Sequence, residues 1–332
     1  MFESSHPSPP GARRRVLSVV LPAFNEQDVL PMTHARLGSI VPTLDQLGFD
    51  LELVFVNDGS RDRTGELLDE IAARDARVRV VHLTRNFGHQ AAISAGLSVA
   101  RGDVVALMDA DLQDPPEQLP RFLDKWADGD QVVYAIRPDR KEWFGKRFAY
   151  WAFYRLMNLV AELDIPLDSG DFCVMDRRAV DLLNSLPERQ RFVRGLRTWV
   201  GLKQTGLTCA RDARAAGRPA YTLRGLVKLA MDGLVSFSST PLKLLTRLGL
   251  LFLIVAFGLG LWVIIGSFID IEAPRGWASL ACIVLFASSV QMIALGVMGE
   301  YMARIFLEVK GRPTFMIASI TETPSAGQRG HA

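Results

Sequence analysis

The sequence predicts an α/β domain with a mainly parallel sheet, followed by an amphipathic helix and two membrane-spanning helices. Short apolar runs alternate with helical patterns over residues 16–136. Continuous apolar strands of this kind are typical of a sheet that helices cover on both faces. Farther along, two runs without a charged residue, 248–269 and 277–298, are each 22 residues long. Each is long enough to cross a hydrocarbon core of ~30 Å.

The elements of the α/β part follow in a regular order. Five apolar runs predict strands, at 16–21, 51–56, 78–83, 104–108 and 131–136. Four amphipathic segments between them predict helices, at 29–47, 64–74, 90–101 and 117–127. Beyond this alternation we expect an aromatic-rich helix at 143–163, a strand at 170–175, a helix at 192–200 and an amphipathic helix at 223–237. The last of these directly precedes a predicted span, which is typical of a helix that lies in the membrane interface.

Composition excludes several classes of protein. The net charge of +2 gives no electrostatic case for nucleic-acid binding. Cys173, Cys209 and Cys282 are scattered, without metal or disulfide spacing, which fits a reducing compartment. Residues 1–15 lack a long apolar stretch, so we interpret them as a disordered basic lead and not as a secretory signal.

Charges around the two predicted spans indicate their orientation. The connector 270–276 carries one cation, Arg275, whereas the outer flanks carry six: Lys228, Lys243, Arg247, Arg304, Lys310 and Arg312. The positive-inside rule then places the N-terminal α/β part and both termini in the cytoplasm of a cell whose inner membrane holds the spans. The predicted domains are the lead 1–15, the α/β domain 16–222, the juxtamembrane helix 223–243, the two-helix membrane domain 244–300 and a cytoplasmic tail 301–332.

Polar residues gather where four of the predicted strands end, in the loops 22–26, 57–60, 85–89 and 109–111. Ligands of parallel α/β sheets bind beyond the carboxyl ends of the strands, so these loops predict a nucleotide site. The sequence has neither a Gly-x-Gly-x-x-Gly nor a Walker-type motif, and it therefore supports neither dinucleotide nor P-loop chemistry.

The pair Asp109 and Asp111 follows the buried run 104–108. Residues two apart in an extended chain point to the same side. Two carboxylates in this arrangement suit Mg²⁺ or Mn²⁺, which in turn binds a diphosphate. The alternative is a pair of solvated turn residues, because Asp is common in turns.

These motifs together resemble the GT-A glycosyltransferases of family 2. The four segments that carry the resemblance are 20–26 (VLPAFNE), 56–60 (VNDGS), 85–90 (RNFGHQ) and 109–116 (DADLQDPP). Within that family the chain is similar to the polyisoprenyl-phosphate glycosyltransferases, and more closely to the GtrB-like branch than to dolichol-phosphate mannose synthases. The marks of that branch are 170–172 (GDF), 190–195 (QRFVRG), 237–242 (FSSTPL), 299–301 (GEY) and 311–313 (GRP), together with two C-terminal spans.

The resemblance implies inverting transfer of one sugar from a nucleotide sugar to a membrane polyprenyl phosphate, for cell-envelope glycosylation. A UDP-sugar is favoured, glucose first, and a homo-oligomer, a tetramer, is implied. The acceptor phosphate has a second pKa of ~6, so a strong general base is less necessary than for a hydroxyl acceptor. The identity of the sugar and the length of the prenyl chain are not readable from the residues.

The same resemblance implies roles for individual residues. Asp171 is the expected catalytic base, or else it orients the acceptor. Asp111 and Asp109 are the expected metal ligands, and Asp109 also belongs to the catalytic set with Asp171 and Arg194. For the nucleotide sugar we expect Pro22, Ala23, Glu26, Asp58, Arg85 and Asp109. For the acceptor phosphate we expect Arg194 first, then Arg137 and Arg140, because a guanidinium fork matches phosphate oxygens. His89 is left out of the catalytic set, since a lone histidine is more often structural.

Three alternatives compete with this interpretation. A processive polysaccharide synthase would carry Gln-x-x-Arg-Trp, but no Trp follows Arg194 in the segment that begins at Gln190. A catalytically silent membrane scaffold of the same fold would have no need of Asp109, Asp111 and Asp171. A transporter or channel subunit would need a polar pathway, which the charge-free spans do not offer.

Overall fold

The computed structural model describes residues 13–136, 169–189, 191–209, 240–268 and 276–323. The chain divides into two compact units. One unit contains the N-terminal α/β part and takes up the chain again from Pro313 onward, and the other contains two long C-terminal helices. The predicted helices 143–163 and 223–237 lie outside the described residues.

Eight strands form the sheet among the described residues. They are β1 (Arg15–Ala23), β2 (Phe49–Asn57), β3 (Val78–Leu83), β4 (Val104–Leu107), β5 (Val132–Ile136), β6 (Ser169–Asp176), β7 (Gln204–Thr208) and β8 (Ile317–Glu322). The helices are α1 (Leu30–Ser39), α2 (Val41–Gln46), α3 (Thr64–Arg74), α4 (His89–Val99), α5 (Leu119–Ala127), α6 (Arg177–Ser185), α7 (Val193–Trp199), α8 (Thr240–Phe268) and α9 (Trp277–Val309).

The sheet is mixed but mainly parallel, in the order β7-β5-β6-β4-β1-β2-β3-β8. Strand β1 pairs in parallel with β2 and β4, β2 with β3, and β5 with β7. Strand β6 runs antiparallel between β4 and β5, and β8 runs antiparallel along β3. The predicted α/β fold with its mainly parallel sheet is therefore confirmed.

The core lies between the sheet and the helices that cover it. Residues 17 and 19–21 of β1 and 53–56 of β2 are fully buried, as expected for apolar strands that helices cover on both faces. Helix α4 packs directly on these two strands, and its backbone approaches closely because residue 96 is glycine. A Cβ there would lie 2.3 Å from Cγ1 of Val20. The helix that begins at the proposed site is thus held tightly against the two central strands.

One predicted helix is broken in the structure. Residues 29–47 were expected to form a single helix, but α1 ends at Ser39 and α2 begins at Val41. Pro42 lies in the first turn of α2. Proline lacks the N–H that a continuous helix would need there and its ring clashes with the preceding turn, so the chain starts a new helix.

Strand β8 was not predicted, because its segment had been assigned to the tail 301–332. It extends the edge of the sheet, and Glu322 forms an ion pair with the buried Arg79, with Oε2 2.8 Å from Nε. The hydroxyl of Thr323 also donates a hydrogen bond to the carbonyl of Ala72. The chain that follows the last long helix is thus part of the α/β domain.

The two C-terminal helices have 29 and 33 residues. Among the described residues, one segment, Phe286–Val309, is long and apolar enough to cross a membrane. Its large apolar side chains are exposed, for example Phe286 and Met292. The segment overlaps the second predicted span, and the predicted first span falls largely within α8. The number of spans remains a prediction.

Candidate active site

The first two loops at the sheet edge are joined by hydrogen bonds between their backbones and short side chains. The N–H of Asn25 donates to Ser60 Oγ at 3.0 Å, and the N–H of Glu26 donates to Thr64 Oγ1 at 2.9 Å. In return, the N–H of Arg61 donates to Asn25 Oδ1 at 2.9 Å. Asn25 has a φ of 55°, a left-handed conformation that Asn tolerates better than most residues. The loop that contains Pro22, Ala23 and Glu26 is thus fixed against the loop that follows β2.

Asp58 connects the second loop to the third. Its two carboxylate oxygens accept hydrogen bonds from the N–H groups of Phe87, at 2.7 Å, and Gly88, at 2.9 Å. Burial raises the pKa of Asp58, and these two N–H groups act in the opposite direction. Gly59 has a φ of +63°, and a Cβ there would lie 2.4 Å from the carbonyl carbon of Arg85. The structure therefore assigns Asp58 a loop-holding contact, and its predicted contact with the nucleotide stays a prediction.

The Asp109–Asp111 turn is held by hydrogen bonds, one of them from helix α1, and the residue that follows it has a strained backbone. Thr33 Oγ1 donates to the carbonyl of Ala110 at 2.8 Å, and Asp111 Oδ1 accepts from the N–H of Gln113 at 3.1 Å. The next residue, Leu112, is buried with a φ of 60°. A left-handed conformation is unfavourable for a residue with a bulky side chain, and such strain is concentrated at functional sites.

Asp171 reaches the same edge of the sheet because β6 runs antiparallel to β4. In the register of the two strands, Cys173 pairs with Leu107 at the carboxyl end of β4, so the beginning of β6 lies beside the Asp109–Asp111 turn. Arg194, on α7, donates hydrogen bonds to both carboxylate oxygens of Asp171, with Nε–Oδ1 at 2.6 Å and Nη2–Oδ2 at 2.8 Å. The two predicted residues are thus a bidentate ion pair.

His89 lies between two of the predicted catalytic residues, although the sequence analysis had left it out of the site. Its Nε2 is 3.6 Å from Asp109 Oδ1 and 3.6 Å from Asp171 Oδ2. Burial acts to lower the pKa of His89, but the two carboxylates outweigh it and the pKa is raised. The sequence offered one sign of its role, which is its position directly after Gly88 in the polar segment 85–89 that follows the third strand.

A second residue that sequence reasoning missed is Gln90. Its Oε1 accepts a hydrogen bond from the N–H of Val193 at 2.9 Å. This contact ties the start of α4 to the start of α7, next to Arg194. Gln90 therefore helps to position the arginine of the ion pair.

The carboxylates of the site have contrasting electrostatics. Burial raises the pKa of Asp109 to about 6; the nearby charges of Asp171, Asp114 and Asp111 act in the same direction, whereas His89 opposes them. Burial would also raise the pKa of Asp171, but the charge and hydrogen bonds of Arg194 hold it well below its usual range. Asp171 is therefore ionised at any pH near neutrality, and Asp109 lies in a surplus of negative charge.

The donor set at this edge fits a hard divalent cation. No group of three or more metal-ligating side chains occurs within the described part of the chain. Mg²⁺ needs no such group, because it usually takes one or two carboxylates and completes its shell with water and substrate phosphates. Burial is the main cause of the raised pKa of Asp109, and the like charges of Asp171, Asp114 and Asp111 add to it, so a cation bound there would favour the ionised carboxylate. Asp109 and Asp111 thus have suitable chemistry for the predicted metal.

The other predicted residues fall into two groups. Pro22 and Ala23 end β1, and Arg85 lies in the third loop with its guanidinium carbon 4.0 Å from the centre of the Phe87 ring. Arg137 and Arg140, the second and third candidates for the acceptor phosphate, lie outside the described residues.

Comparison with known proteins connects this geometry to a family. The sequence model of "Glycosyl transferase family 2" matches residues 18–183. The uncharacterized glycosyltransferase YkcC of Bacillus subtilis (strain 168) is 43% identical, covering 90% of this chain and 92% of that protein. The prophage bactoprenol glucosyl transferase homolog of Escherichia coli (strain K12) is 38% identical, covering 92% and 99%. The bactoprenol glucosyl transferase of Shigella phage SfX is 38% identical, covering 91% and 99%.

Among solved structures, a glucosyl-3-phosphoglycerate synthase of Mycobacterium tuberculosis superposes with a TM-score of 0.44 at 23% identity, covering 67% of this chain and 76% of that one. That similarity is too low for a residue-by-residue comparison. The relatives similar over nearly their whole length decide the assignment, and they agree with the GT-A resemblance of the loops. The chain belongs to glycosyl transferase family 2 and is a glycosyltransferase of the GtrB-like branch.

Proposed function

We propose that this enzyme transfers one glucose from UDP-glucose to the phosphate of a polyprenyl phosphate, with inversion at the anomeric carbon. The names of relatives that are 38% identical over nine-tenths of the chain support both the sugar and the lipid acceptor. In the reaction, the bond between the anomeric carbon and the diphosphate oxygen breaks. A new bond forms from that carbon to an oxygen of the acceptor phosphate, and the nucleoside diphosphate departs.

The observation that carries this proposal is the ion pair of Asp171 and Arg194. A general base works best with a pKa near the working pH, and Arg194 holds the pKa of Asp171 far below that. A hydroxyl acceptor would need such a base to remove its proton. A lipid phosphate has a second pKa of ~6 and is already largely ionised, so it needs none. An Asp171 that orients the acceptor and does not accept a proton fits the phosphate better than the alcohol.

The donor is proposed to lie over the first three loops, with Asp109 and Asp111 holding Mg²⁺ or Mn²⁺ on its diphosphate. When bound, the metal supplies positive charge to the departing diphosphate. The second and third loops are held at a fixed separation. Asp58 accepts hydrogen bonds from the third loop, and Gly59 lies closely against it. Pro22, Ala23 and Glu26 are proposed to line the base pocket, and Arg85 the phosphates.

Arg194 is proposed to contact the acceptor phosphate, with Arg137 and Arg140 as further contacts. One third of the Arg194 side chain, 33%, is exposed while its fork remains on Asp171. A cation at this place can approach an incoming anion and still hold the carboxylate. His89, beside Asp109 and Asp171, reduces the repulsion that the two carboxylates exert on a phosphate.

Strand β8 supports a two-span topology. It lies in the same sheet as strands that precede both long C-terminal helices, so the chain on either side of those helices occupies one side of any membrane they cross. A polypeptide that starts and ends on the same side of a membrane crosses that membrane an even number of times. Together with the cation asymmetry of the flanks, this favours two spans with the catalytic domain and both termini in the cytoplasm.

The proposed domain boundaries follow the sequence analysis, with a lead at 1–15, a juxtamembrane helix at 223–243 and spans within 244–300. The one addition is that the C-terminal segment contributes β8 to the catalytic domain. A homo-oligomer, a tetramer by resemblance, is also proposed.

The test is a transfer assay on the full chain in detergent. Purified enzyme is incubated with undecaprenyl phosphate, Mg²⁺ or Mn²⁺ and each of several nucleotide sugars, and the lipid product is weighed by mass spectrometry. We expect a product one hexose heavier than the acceptor, formed fastest from UDP-glucose. A ladder of several sugars would indicate a processive synthase, and an unchanged lipid with every donor would overturn the proposal.

A further inference from the structure

A chain of hydrogen bonds runs from the surface of α3 to the loop that follows β2. His82, in β3, has Nε2 3.1 Å from Oδ1 of Asp69 and Nδ1 3.1 Å from Nδ2 of Asn57. Asn57 is the last residue of β2, and its Oδ1 accepts a hydrogen bond from the N–H of Ser60 at 3.0 Å. The four residues thus connect α3, β3 and the loop 57–60 in sequence.

The donors and acceptors along these hydrogen bonds determine which ring nitrogen of His82 carries the proton in the neutral form. The amide oxygen of Asn57 is used by the Ser60 N–H, so the amide NH₂ faces the ring. An NH₂ group can only donate, and Nδ1 must therefore be unprotonated to accept. The proton of the neutral ring is then on Nε2, where it is donated to Asp69. Asp69 selects the tautomer that Asn57 requires.

We propose that His82 is a positioning residue for the donor nucleotide, which in its neutral form holds Asn57 and the loop 58–60 in the binding arrangement and on protonation releases them. This inference rests on the proposed function, because it takes the loop after β2 to be part of the donor site. The loop carries Asp58 and Gly59, which in turn hold the third loop. A change at Asn57 therefore reaches two of the loops that face the donor.

Protonation of His82 at Nδ1 would break this series of hydrogen bonds at the contact with Asn57. A proton on Nδ1 would point at the NH₂ of Asn57, so two donors would face each other. If the amide of Asn57 turned over to offer its oxygen to the ring, its NH₂ would face the Ser60 N–H instead. In either arrangement one N–H loses its acceptor at a residue that is only 8% exposed.

Two residues that neighbour His82 from other elements carry no charge. From α3, the backbone of Gly65 approaches, and a Cβ there would lie 3.8 Å from Cε1 of His82. From β8, Ser319 pairs with His82 in the strand register. A charged group, Asp69, lies against the ring with Oδ1 3.1 Å from Nε2, and its side chain is 47% exposed. Asp69 accepts a hydrogen bond from the ring and Asn57 donates one to it, so a second ring proton would conflict with the contact to Asn57 and not with the contact to Asp69.

Two substitutions separate the positioning role from the pH response. Asparagine at residue 82 can place an amide oxygen close to the position of Nδ1 and does not titrate, so His82→Asn keeps an acceptor for Asn57. Leucine offers no acceptor. The matched control is His34→Asn, because His34 also pairs with an aspartate, with Nε2 2.9 Å from Oδ2 of Asp75, but lies in α1, which contributes no residue to the loop 57–60.

The measurement is the dissociation constant of UDP for the full chain in detergent, by calorimetry with Mg²⁺ present, at pH 8 and at pH 5.5. UDP and the remaining ionisable groups titrate alike in every variant, so the difference between variants is the readout. We expect affinity in the wild type and in His34→Asn to fall on acidification by about two- to ten-fold more than in His82→Asn, the effect of one hydrogen bond. At pH 8, His82→Asn should bind UDP as the wild type does, and His82→Leu should bind about two- to ten-fold more weakly.

Equal pH dependence in His82→Asn and the wild type would overturn the inference, as would unchanged UDP binding by His82→Leu at pH 8. Melting curves at pH 8 control for a folding defect, and a variant that melts early is judged on its UDP affinity at a temperature where it is folded. If the wild type itself bound no UDP, the proposed donor would be wrong and the inference would fall with it. If the wild type bound UDP and the variants did not differ from it, the inference alone would fail.

Discussion

The guanidinium of Arg194 meets the carboxylate of Asp171 as two parallel hydrogen bonds, at 2.6 Å and 2.8 Å. This geometry needs a planar fork, which Arg has and Lys does not. It keeps Asp171 ionised and holds its oxygens in one orientation. In the proposed function, this ion pair favours an acceptor that is already ionised.

Arg194→Lys keeps the charge but loses the fork. We predict a loss of about ten- to a hundred-fold in transfer, because a hydrogen bond to a charged group contributes ~1.5–3 kcal/mol. The defect should appear in the kinetics of the lipid acceptor, while UDP binding measured by calorimetry stays nearly unchanged. The exposed Arg121→Lys serves as control. Loss of UDP binding with unaltered acceptor kinetics would move Arg194 to the donor site.

Asp111→Asn removes one of the two carboxylates proposed to hold the metal. We predict loss of transfer at limiting Mg²⁺ with an unchanged melting temperature, since a hard cation binds an amide oxygen more weakly than a carboxylate. Activity is measured over a titration of Mg²⁺ and compared with Asp124→Asn, which alters an exposed acid on α5. Near-wild-type turnover at low Mg²⁺ would contradict the metal assignment.

Gly59→Ala places a methyl group against the third loop. The residue has a φ of +63°, and the new Cβ would lie 2.4 Å from the carbonyl carbon of Arg85. The left-handed backbone alone costs a non-glycine residue ~1–2 kcal/mol, and the third loop must also move. We predict weaker UDP binding and a lower melting temperature. Gly38→Ala, in α1, meets nothing within 4 Å and should leave UDP binding unchanged without lowering the melting temperature.

Asp75→Asn tests the pH dependence of stability. The hydrogen bonds from Arg77 have the largest effect on Asp75 and lower its pKa below the usual value. Burial acts in the opposite direction, and the hydrogen bond with His34 adds to the lowering. A depressed pKa in the folded state means that Asp75 stabilises the fold above pH ~4 and that this contribution is lost as the pH falls further. We predict a loss of ~1.5–3 kcal/mol at pH 7 that shrinks at pH 3.

The check is chemical unfolding of Asp75→Asn and of the control Asp128→Asn at both pH values. Asp128 is exposed and pairs with Lys125 at 3.0 Å on the surface, where an ion pair contributes little, so its replacement should change little. An Asp75→Asn defect of the same size at pH 3 as at pH 7 would contradict this account.

The sequence predicted the parts of the fold that local patterns determine. The strands β1 to β5 are rich in apolar residues, and the polar loops after β1 to β4 meet at one edge because parallel strands require it. Asp171 and Arg194 were predicted through the resemblance, and the structure brings them together. The break between α1 and α2 was missed, although Pro42 marks it in the sequence.

What the sequence could not show depends on contacts between distant residues. Strand β8 is six residues long, and its charged partner Arg79 lies 243 residues away from Glu322 along the chain. His89 was set aside because nothing near it in the sequence shows that it lies between Asp109 and Asp171. The chain of hydrogen bonds through His82 likewise exists only after α3, β2 and β3 have packed.

The central claim is that the acceptor is a preformed phosphate anion that Asp171 orients without removing a proton. The most direct measurement compares two acceptors of equal chain length, undecaprenyl phosphate and undecaprenol, with UDP-glucose and Mg²⁺ at pH 7.5, and determines the mass of each lipid product. We predict one added hexose on the phosphate and no transfer to the alcohol. Transfer to undecaprenol at a rate comparable to that on the phosphate would require a general base in the site and would contradict the account.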